Sequence, residues 1–204
     1  MNTSFNVFAT SRRGTSFARL GWQANSLIVT ASLLLSAFPA GFAFAATTSE
    51  IVPTGNSSTY TGWTNGYTEI NEGISGASCS SGDSVSSSTS NARESYIISL
   101  SSIPNGATIT DVQVLVEDRS AGTAGGTYAT FVRLNGVDTA TSSTHTVSGS
   151  GTGANCTGSQ TDDFDVPDTV KSGGTTLEIG VVKINATTVR VGAMAAVITY
   201  DMDG

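Results

Sequence analysis

The feature that most limits the possible folds is a period-2 pattern of apolar and polar residues from Ile109 to Glu117. In an extended chain, Val112, Val114 and Val116 would lie on one face and Asp111, Gln113 and Glu117 on the other, because successive strand side chains point to opposite faces. No segment after residue 46 has helical periodicity with end caps. The sequence therefore predicts a β protein.

Other extended segments repeat this pattern and are separated by turn residues. The predicted strands are 48–53, 58–64, 67–72, 95–100, 109–117, 128–134, 144–147, 161–166, 177–184 and 189–200. Asn-Gly pairs at 65–66 and 135–136 are strong turn signals, and the last two strands are predicted to pair across Asn185-Ala186. This pattern predicts an all-β fold, an antiparallel, jelly-roll-like β-sandwich of about nine to ten strands.

Residues 1–45 have the composition of a secretory signal peptide. An apolar run from 26 to 38 follows a segment with three arginines and no acid, and the small-x-small motif Ala43-Phe44-Ala45 comes after it. The run is shorter than a bilayer-spanning helix requires. We therefore expect cleavage between Ala45 and Ala46 and a secreted, extracellular or cell-surface location.

The remaining residues, 46–204, suit one β-sandwich domain that begins with an extended strand. Cys79 and Cys156 lie in two Ser/Gly-rich loops, over 73–92 and 148–158. In an oxidising compartment such a pair is expected to form a disulfide, whereas two free thiols are the alternative.

The chain carries 16 acidic and nine basic residues, for a net charge of −7. Three of the bases lie in the signal segment, so the mature chain is more acidic still. Such a chain repels nucleic acid and anionic lipid, and we expect neither nucleic acid nor a membrane as a partner. A solvated acidic surface explains the charge most simply.

Several segments together resemble a known module. They are Pro53, Gly62-Trp63-Thr64, Ile70-Asn71-Glu72, Tyr96-Ile97, the stretch 103–112 beginning Ile-Pro-Asn-Gly-Ala-Thr, and the closing Val197-Ile198-Thr199-Tyr200. The order resembles a jelly-roll-like β-sandwich module of secreted bacterial surface proteins and of phage virion and tail components. The resemblance implies a structural or adhesive role and brings no catalytic residues with it. The cysteine pair departs from the pattern.

Two features could carry chemistry. Asp162, Asp163, Asp165 and Asp168 could converge on Ca²⁺ near a strand end, although their spacing is not that of an EF-hand and a solvated loop is the simpler interpretation. His145 is the single histidine and lacks a nucleophile motif, so we interpret it as an exposed strand residue. We therefore expect no enzyme and no cofactor other than Ca²⁺.

Trp63, with Tyr60 and Tyr67, could form a sugar-stacking platform, but core packing is the commoner role of such a tryptophan. The main functional hypothesis is a secreted structural subunit of a filament, sheath or surface layer, with itself as partner. The segment Glu50-Ile51-Val52-Pro53 is the expected assembly strand, which would add to a neighbour's sheet edge. It could equally pair within its own domain. The alternative function is a carbohydrate-binding or adhesive module with a polysaccharide partner.

Overall fold

The computed structural model describes residues 44–122, 124–147, 149 and 154–202, and these contain eleven strands and no α-helix. The strands are β1 (Phe44–Thr47), β2 (Pro53–Thr61), β3 (Val85–Ser87), β4 (Arg93–Ile98), β5 (Thr108–Ser120), β6 (Gly126–Leu134), β7 (Val137–Thr141), β8 (His145–Val147), β9 (Gly158–Val170), β10 (Leu177–Lys183) and β11 (Val189–Met202). Two short 3-10 turns occupy Tyr67–Glu69 and Ile74–Gly76.

The strands form two antiparallel sheets. Sheet A has the order β1-β11-β5-β9, with β3 also paired to β11, and sheet B has the order β2-β4-β10-β6-β7, with β8 also paired to β6. The long strands alternate between the sheets along the chain, from β4 in sheet B to β5 in sheet A and finally from β10 to β11. This is the all-β sandwich that the sequence predicts.

The core lies between the sheets and follows the period-2 pattern. Val112, Val114 and Val116 of β5 belong to the same buried core cluster as Ile179 and Val181 of β10. Asn135 and Gly136 both have positive φ angles, 51° and 78°, and form the tight turn between β6 and β7. Only residues that tolerate the left-handed region fit such a turn, which confirms the Asn-Gly signal.

Some local predictions are wrong. Residues 67–72 form a 3-10 turn and irregular chain rather than a strand. The loop expected over 73–92 contains a short strand, β3, whose Val85 is buried in the core. The last two strands also do not pair with each other, because β10 belongs to sheet B and β11 to sheet A. Residues 184–188 therefore cross between the sheets, a connection that strand periodicity cannot distinguish from a hairpin.

Candidate functional site

The outer edge of β11, on the side away from β5, is covered by several short pieces of chain rather than by one strand. β3 covers Val189–Val191, and β1 covers Thr199–Met202. Between them, the Met194 N–H donates to the Ile70 carbonyl at 3.2 Å. Because each piece contributes only a few main-chain bonds, each is individually a weak cover for the edge.

The segment 48–51 completes this cover. The Thr48 N–H donates to the Ile198 carbonyl at 2.9 Å, and Ile51 and Ala196 exchange two main-chain bonds of 2.8 and 2.9 Å. Ile51 is partly buried against the core. The N-terminal segment therefore pairs within its own domain here, mainly through its backbone.

The four residues of the expected assembly strand have different surroundings. Glu50 is exposed, and its Oε1 accepts a 2.7 Å hydrogen bond from the Ile74 N–H. Val52 is half-buried, whereas Pro53 is buried at the start of β2 in the other sheet. Residues 50–53 thus connect the edge of sheet A, where Ile51 pairs with β11, to the edge of sheet B, where Pro53 begins β2.

The expected processing site falls inside β1. Ala45 lies opposite Asp201 and Ala46 opposite Tyr200. Cleavage between them would leave only the second half of β1, and the signal segment before residue 44 lies outside the described residues. Phe44, opposite Met202, has a 70% exposed side chain, so little core packing depends on the part that would be lost.

Cys79 and Cys156 form the expected disulfide, with their Cα atoms 5.0 Å apart. The bond packs against Gly192 of β11, where a Cβ atom would lie 2.7 Å from the Cys156 sulfur. The Cys79 N–H also donates to the Ala154 carbonyl at 2.7 Å. The two Ser/Gly-rich loops are therefore fastened to each other and to sheet A.

The structure does not bring the four aspartates of the possible Ca²⁺ site to one place. Asp162 is largely buried, with a 10% exposed side chain, whereas Asp163, Asp165 and Asp168 are exposed. The alternation of β9 separates Asp162 from its neighbours. Among the described residues, no group of three or more His, Cys, Asp or Glu side chains could hold a metal ion.

His145 is not the exposed residue that we expected, because its side chain is only 13% exposed. Its Nε2 lies 2.7 Å from Asp162 Oδ2 and 3.5 Å from Ser142 Oγ. In a Ser-His-Asp triad the acid and the serine bind opposite ring nitrogens, so that one orients the ring while the other accepts a proton. Here both contact the same nitrogen, and the arrangement does not form a triad.

A buried acid lies close to this histidine. Tyr128 donates a 2.6 Å hydrogen bond to Asp118 Oδ2, and the Tyr128 ring packs 5.4 Å from the His145 ring. Burial raises the pKa of Asp118, although the hydrogen bond from Tyr128 opposes that shift. These contacts join β5 of sheet A to β6 and β8 of sheet B, so the cluster connects the two layers.

Sequence reasoning missed a second cluster, on the outer face of sheet B. Its members are Tyr60, Arg93, Phe131, Arg133, Asp138 and Glu178, and we refer to them as the outer cluster. The Arg93 guanidinium carbon lies 4.0 Å from the Phe131 ring centroid and 4.4 Å from that of Tyr60. Five different strands supply these residues, so no local motif could reveal them.

Ion pairs complete the outer cluster. Asp138 accepts from Arg93 at 2.6 Å and from Arg133 at 2.8 Å, and Arg133 also donates to Glu178 at 2.7 Å. Burial acts to raise the pKa of Asp138, but hydrogen bonds from Arg93 and Tyr60 outweigh it and lower that pKa. The carboxylates and guanidinium groups pair with one another, as in a structural network, although among the described residues the buried Arg93 Nε has no hydrogen-bond partner.

Trp63 is 6% exposed and belongs to the core, which confirms the commoner role of such a tryptophan. Its indole N–H donates to the Ala92 carbonyl at 3.2 Å. A sugar-stacking platform centred on Trp63 is therefore not present on this surface. Within the described part of the chain, no helix has the length and apolar character to cross a membrane.

Neither known protein families nor curated proteins match the sequence. Solved structures do match. An arabinose-bound MgGH51 α-L-arabinofuranosidase is 9% identical over 80% of this chain and 24% of its own, with a TM-score of 0.32. The Agl-KA catalytic domain is 14% identical over 81% of this chain and 28% of its own, with a TM-score of 0.33. The chain thus spans about a quarter of the length of these structures.

These matches contradict the prediction that the protein is not an enzyme, and that prediction is withdrawn. Both solved structures are described as an enzyme or a catalytic domain. With TM-scores of 0.32 and 0.33, however, the likeness assigns neither a substrate nor a catalytic residue to this chain.

Proposed function

We propose that this chain is an exported subunit of an extracellular assembly, such as a filament, sheath or surface layer, built by exchange of the N-terminal segment between copies. The resemblance to modules of secreted surface proteins and phage tails supports a structural role of this kind. The partner is a second copy of the chain, and the acceptor is the edge of β11.

The observation that carries the proposal is how residues 46–51 are attached. Main-chain bonds hold the segment to β11, and half of its side chains are exposed. If the segment moved to a neighbour, it would make the same bonds there, so exchange changes little in the total number of contacts. Main-chain pairing supplies affinity in such complexes, and a partly buried side chain such as Ile51 supplies specificity.

The choice of β11 over the opposite edge has a physical reason. β9, the other edge of sheet A, exposes Asp163, Asp165 and Asp168 and contains Pro167, which has no N–H to donate. Charges and proline on an edge strand oppose pairing with another chain.

The experiment begins with export. The secreted protein should start at Ala46, as read by N-terminal sequencing; a product that retains Leu33 to Leu35 would contradict the export signal. Light scattering and electron microscopy of this mature protein should then show polymers. A protein lacking residues 46–52 should remain folded, form no polymers, and bind a synthetic peptide of residues 46–52 but not its scrambled control.

Point variants make the test more specific. Ile51→Asp should prevent polymerisation because pairing would bury a charge. Val137→Asp is the matched control, since Val137 is 64% exposed and lies in sheet B, away from β11. If the protein lacking 46–52 forms the same polymers as the mature protein, or if both variants behave alike, the proposal is wrong.

A further inference from the structure

The loop between Ile70 and Cys79 is fixed to β11 at both of its ends. At one end, the Ile70 carbonyl accepts from Met194. At the other, the disulfide of Cys79 packs over Gly192, two residues away on the same strand. The loop is therefore held beside β11, next to the position where Ile51 pairs.

From this position the loop binds the N-terminal segment. The Ile74 N–H donates to Glu50 Oε1 at 2.7 Å. Gly73 precedes it with a φ of 84°, and a Cβ atom there would lie 3.1 Å from the same carboxylate oxygen. A glycine at 73 thus allows both the backbone turn and the close approach of Glu50.

We propose that the Cys79–Cys156 disulfide holds the N-terminal segment on β11 through this loop, and that the segment exchanges with a second copy most readily while the bond is absent. The second half of this statement rests on the proposed function. The first half concerns the monomer alone.

The disulfide affects the N-terminal segment because it is one of the attachments that hold the loop on either side of Ile74. With the disulfide in place, Ile70 and Cys79 restrict the loop from both ends, so the Ile74 N–H stays directed at Glu50. Without it, the Cys79 end keeps its main-chain bond to Ala154 and an Arg190 contact of 3.3 Å. The first of these bonds ends on the loop of Cys156, which without the disulfide keeps only hydrogen bonds to β5 among the described contacts, from the Thr157 N–H to the Asp118 carbonyl at 2.9 Å and from Arg119 to the Asn155 carbonyl at 3.2 Å. Hydrogen bonds thus replace a covalent attachment, and the Cys79 end of the loop is held less firmly.

An exported chain forms its disulfide only after it reaches an oxidising compartment, where a disulfide-bearing oxidant accepts the two electrons and two protons of the Cys79 and Cys156 thiols by thiol–disulfide exchange. A newly exported copy would therefore have a loosely held segment that can reach a neighbour. Once the bond forms, the loop fastens whichever segment occupies the edge, its own or that of the neighbour. The disulfide would thus fix the result of exchange.

Hydrogen exchange measured by mass spectrometry tests the first half in the mature monomer. Glu50→Ala in the disulfide-bonded protein should speed exchange of the peptide 46–52 about tenfold, the effect of one charge-assisted hydrogen bond. Glu69→Ala is the matched control, because among the hydrogen bonds of the described residues the Glu69 side chain accepts only from its neighbour Thr68. Peptide 137–141 in sheet B serves as the internal reference.

The same Glu50→Ala change is then made in a Cys79→Ser/Cys156→Ser protein. There it should have much less effect on peptide 46–52, because the loop no longer directs Ile74 at position 50. Equal effects with and without the disulfide would overturn the proposal. So would an unchanged peptide 46–52 in the disulfide-bonded Glu50→Ala protein, a result that does not require the serine variant to fold.

Polymer formation separates the two proposals. If hydrogen exchange behaves as expected but the serine variant does not polymerise faster than the disulfide-bonded protein, the loop holds the segment but does not control exchange between copies. If no form polymerises, the proposed function fails while the loop's action on the segment remains established.

Discussion

Lys183, the last residue of β10, provides the sharpest test of the energetics of this fold. It lies on the same face as Ile179 and Val181, which point into the core, and its side chain is fully buried. Its ammonium donates to the Thr127 carbonyl at 2.9 Å and to Asn185 Oδ1 at 2.7 Å. No ion pair of the described residues includes it, so the charge is stabilised by neutral oxygens alone.

Burial lowers the pKa of Lys183 from 10.5 to about 8. The unfolded chain therefore binds the proton more tightly than the folded protein does. Between these two pKa values the unfolded state carries more protons than the folded state, so the free energy of unfolding rises with pH. Below about pH 8 both states are protonated, and the folded protein bears the full free-energy cost of burying the Lys183 charge. At pH 7 the penalty is about 3 kcal/mol.

The measurement is urea unfolding at pH 7 and pH 9.5. Over this interval the unfolding free energy of the natural protein should rise by about 2 kcal/mol because of Lys183. In Lys183→Met this rise should be absent. The variant also removes one donor from the Thr127 carbonyl, which keeps the Ile184 N–H, and one from Asn185 Oδ1, which keeps the Thr127 N–H. That cost is the same at both pH values and cancels in the comparison.

Lys171→Met is the control, because Lys171 reaches only Asn105 through an exposed hydrogen bond. Its pH dependence should match that of the natural protein. The ionisation of tyrosines in the unfolded chain affects all three proteins equally. If the unfolding free energies of Lys183→Met and of the natural protein rise by the same amount between pH 7 and 9.5, burial does not destabilise the Lys183 ammonium and the explanation is refuted.

Two further predictions concern sheet B. Gly180→Ala should destabilise the protein by about 1–3 kcal/mol in urea unfolding, because its Cβ would press on the Phe131 ring, whereas Gly55→Ala, with ordinary contacts, should not. Asp138→Asn should lower the unfolding free energy by about 1 kcal/mol at pH 7. Thermal melts should show this difference disappear as the pH falls through the lowered pKa of Asp138, because the natural carboxylate then also loses its charge. A Gly55→Ala variant as unstable as Gly180→Ala, or a deficit that persists at low pH, would contradict these explanations.

Local sequence features predict local structure well in this chain. The alternation over 109–117 corresponds to the centre of β5, and the Asn-Gly pair at 135–136 forms the turn it indicates. Two cysteines in Ser/Gly-rich loops form the expected disulfide. In the first two cases the deciding physics, side-chain alternation or a positive φ angle, acts within a few residues.

Features that depend on distant residues could not be predicted in this way. The periodicity of 177–184 and 189–200 indicates two strands but does not say that they enter different sheets. Likewise, Tyr60 and Arg93 meet Asp138 only because β2, β4 and β7 share sheet B. The candidate site has the same origin, since Ile51 and Ala196 are far apart in the chain.

The two edges of sheet A are protected in different ways, and the difference has a consequence for assembly. At β9 the exposed aspartates and Pro167 belong to the edge strand itself, so this protection cannot be removed while the strand stays folded. At β11 the protection comes from separate pieces. If the chain is cleaved between Ala45 and Ala46, as proposed, the rest of β1 and the segment up to Ile51 are joined to the domain at one end only. A cover that is attached at one end can move to a neighbour without unfolding either sheet. The β9 edge therefore resists pairing as long as its strand stays folded, whereas the cover of the β11 edge can be exchanged under the proposed function. Such exchange would give each copy a single donor and a single acceptor, the arrangement that a linear polymer requires.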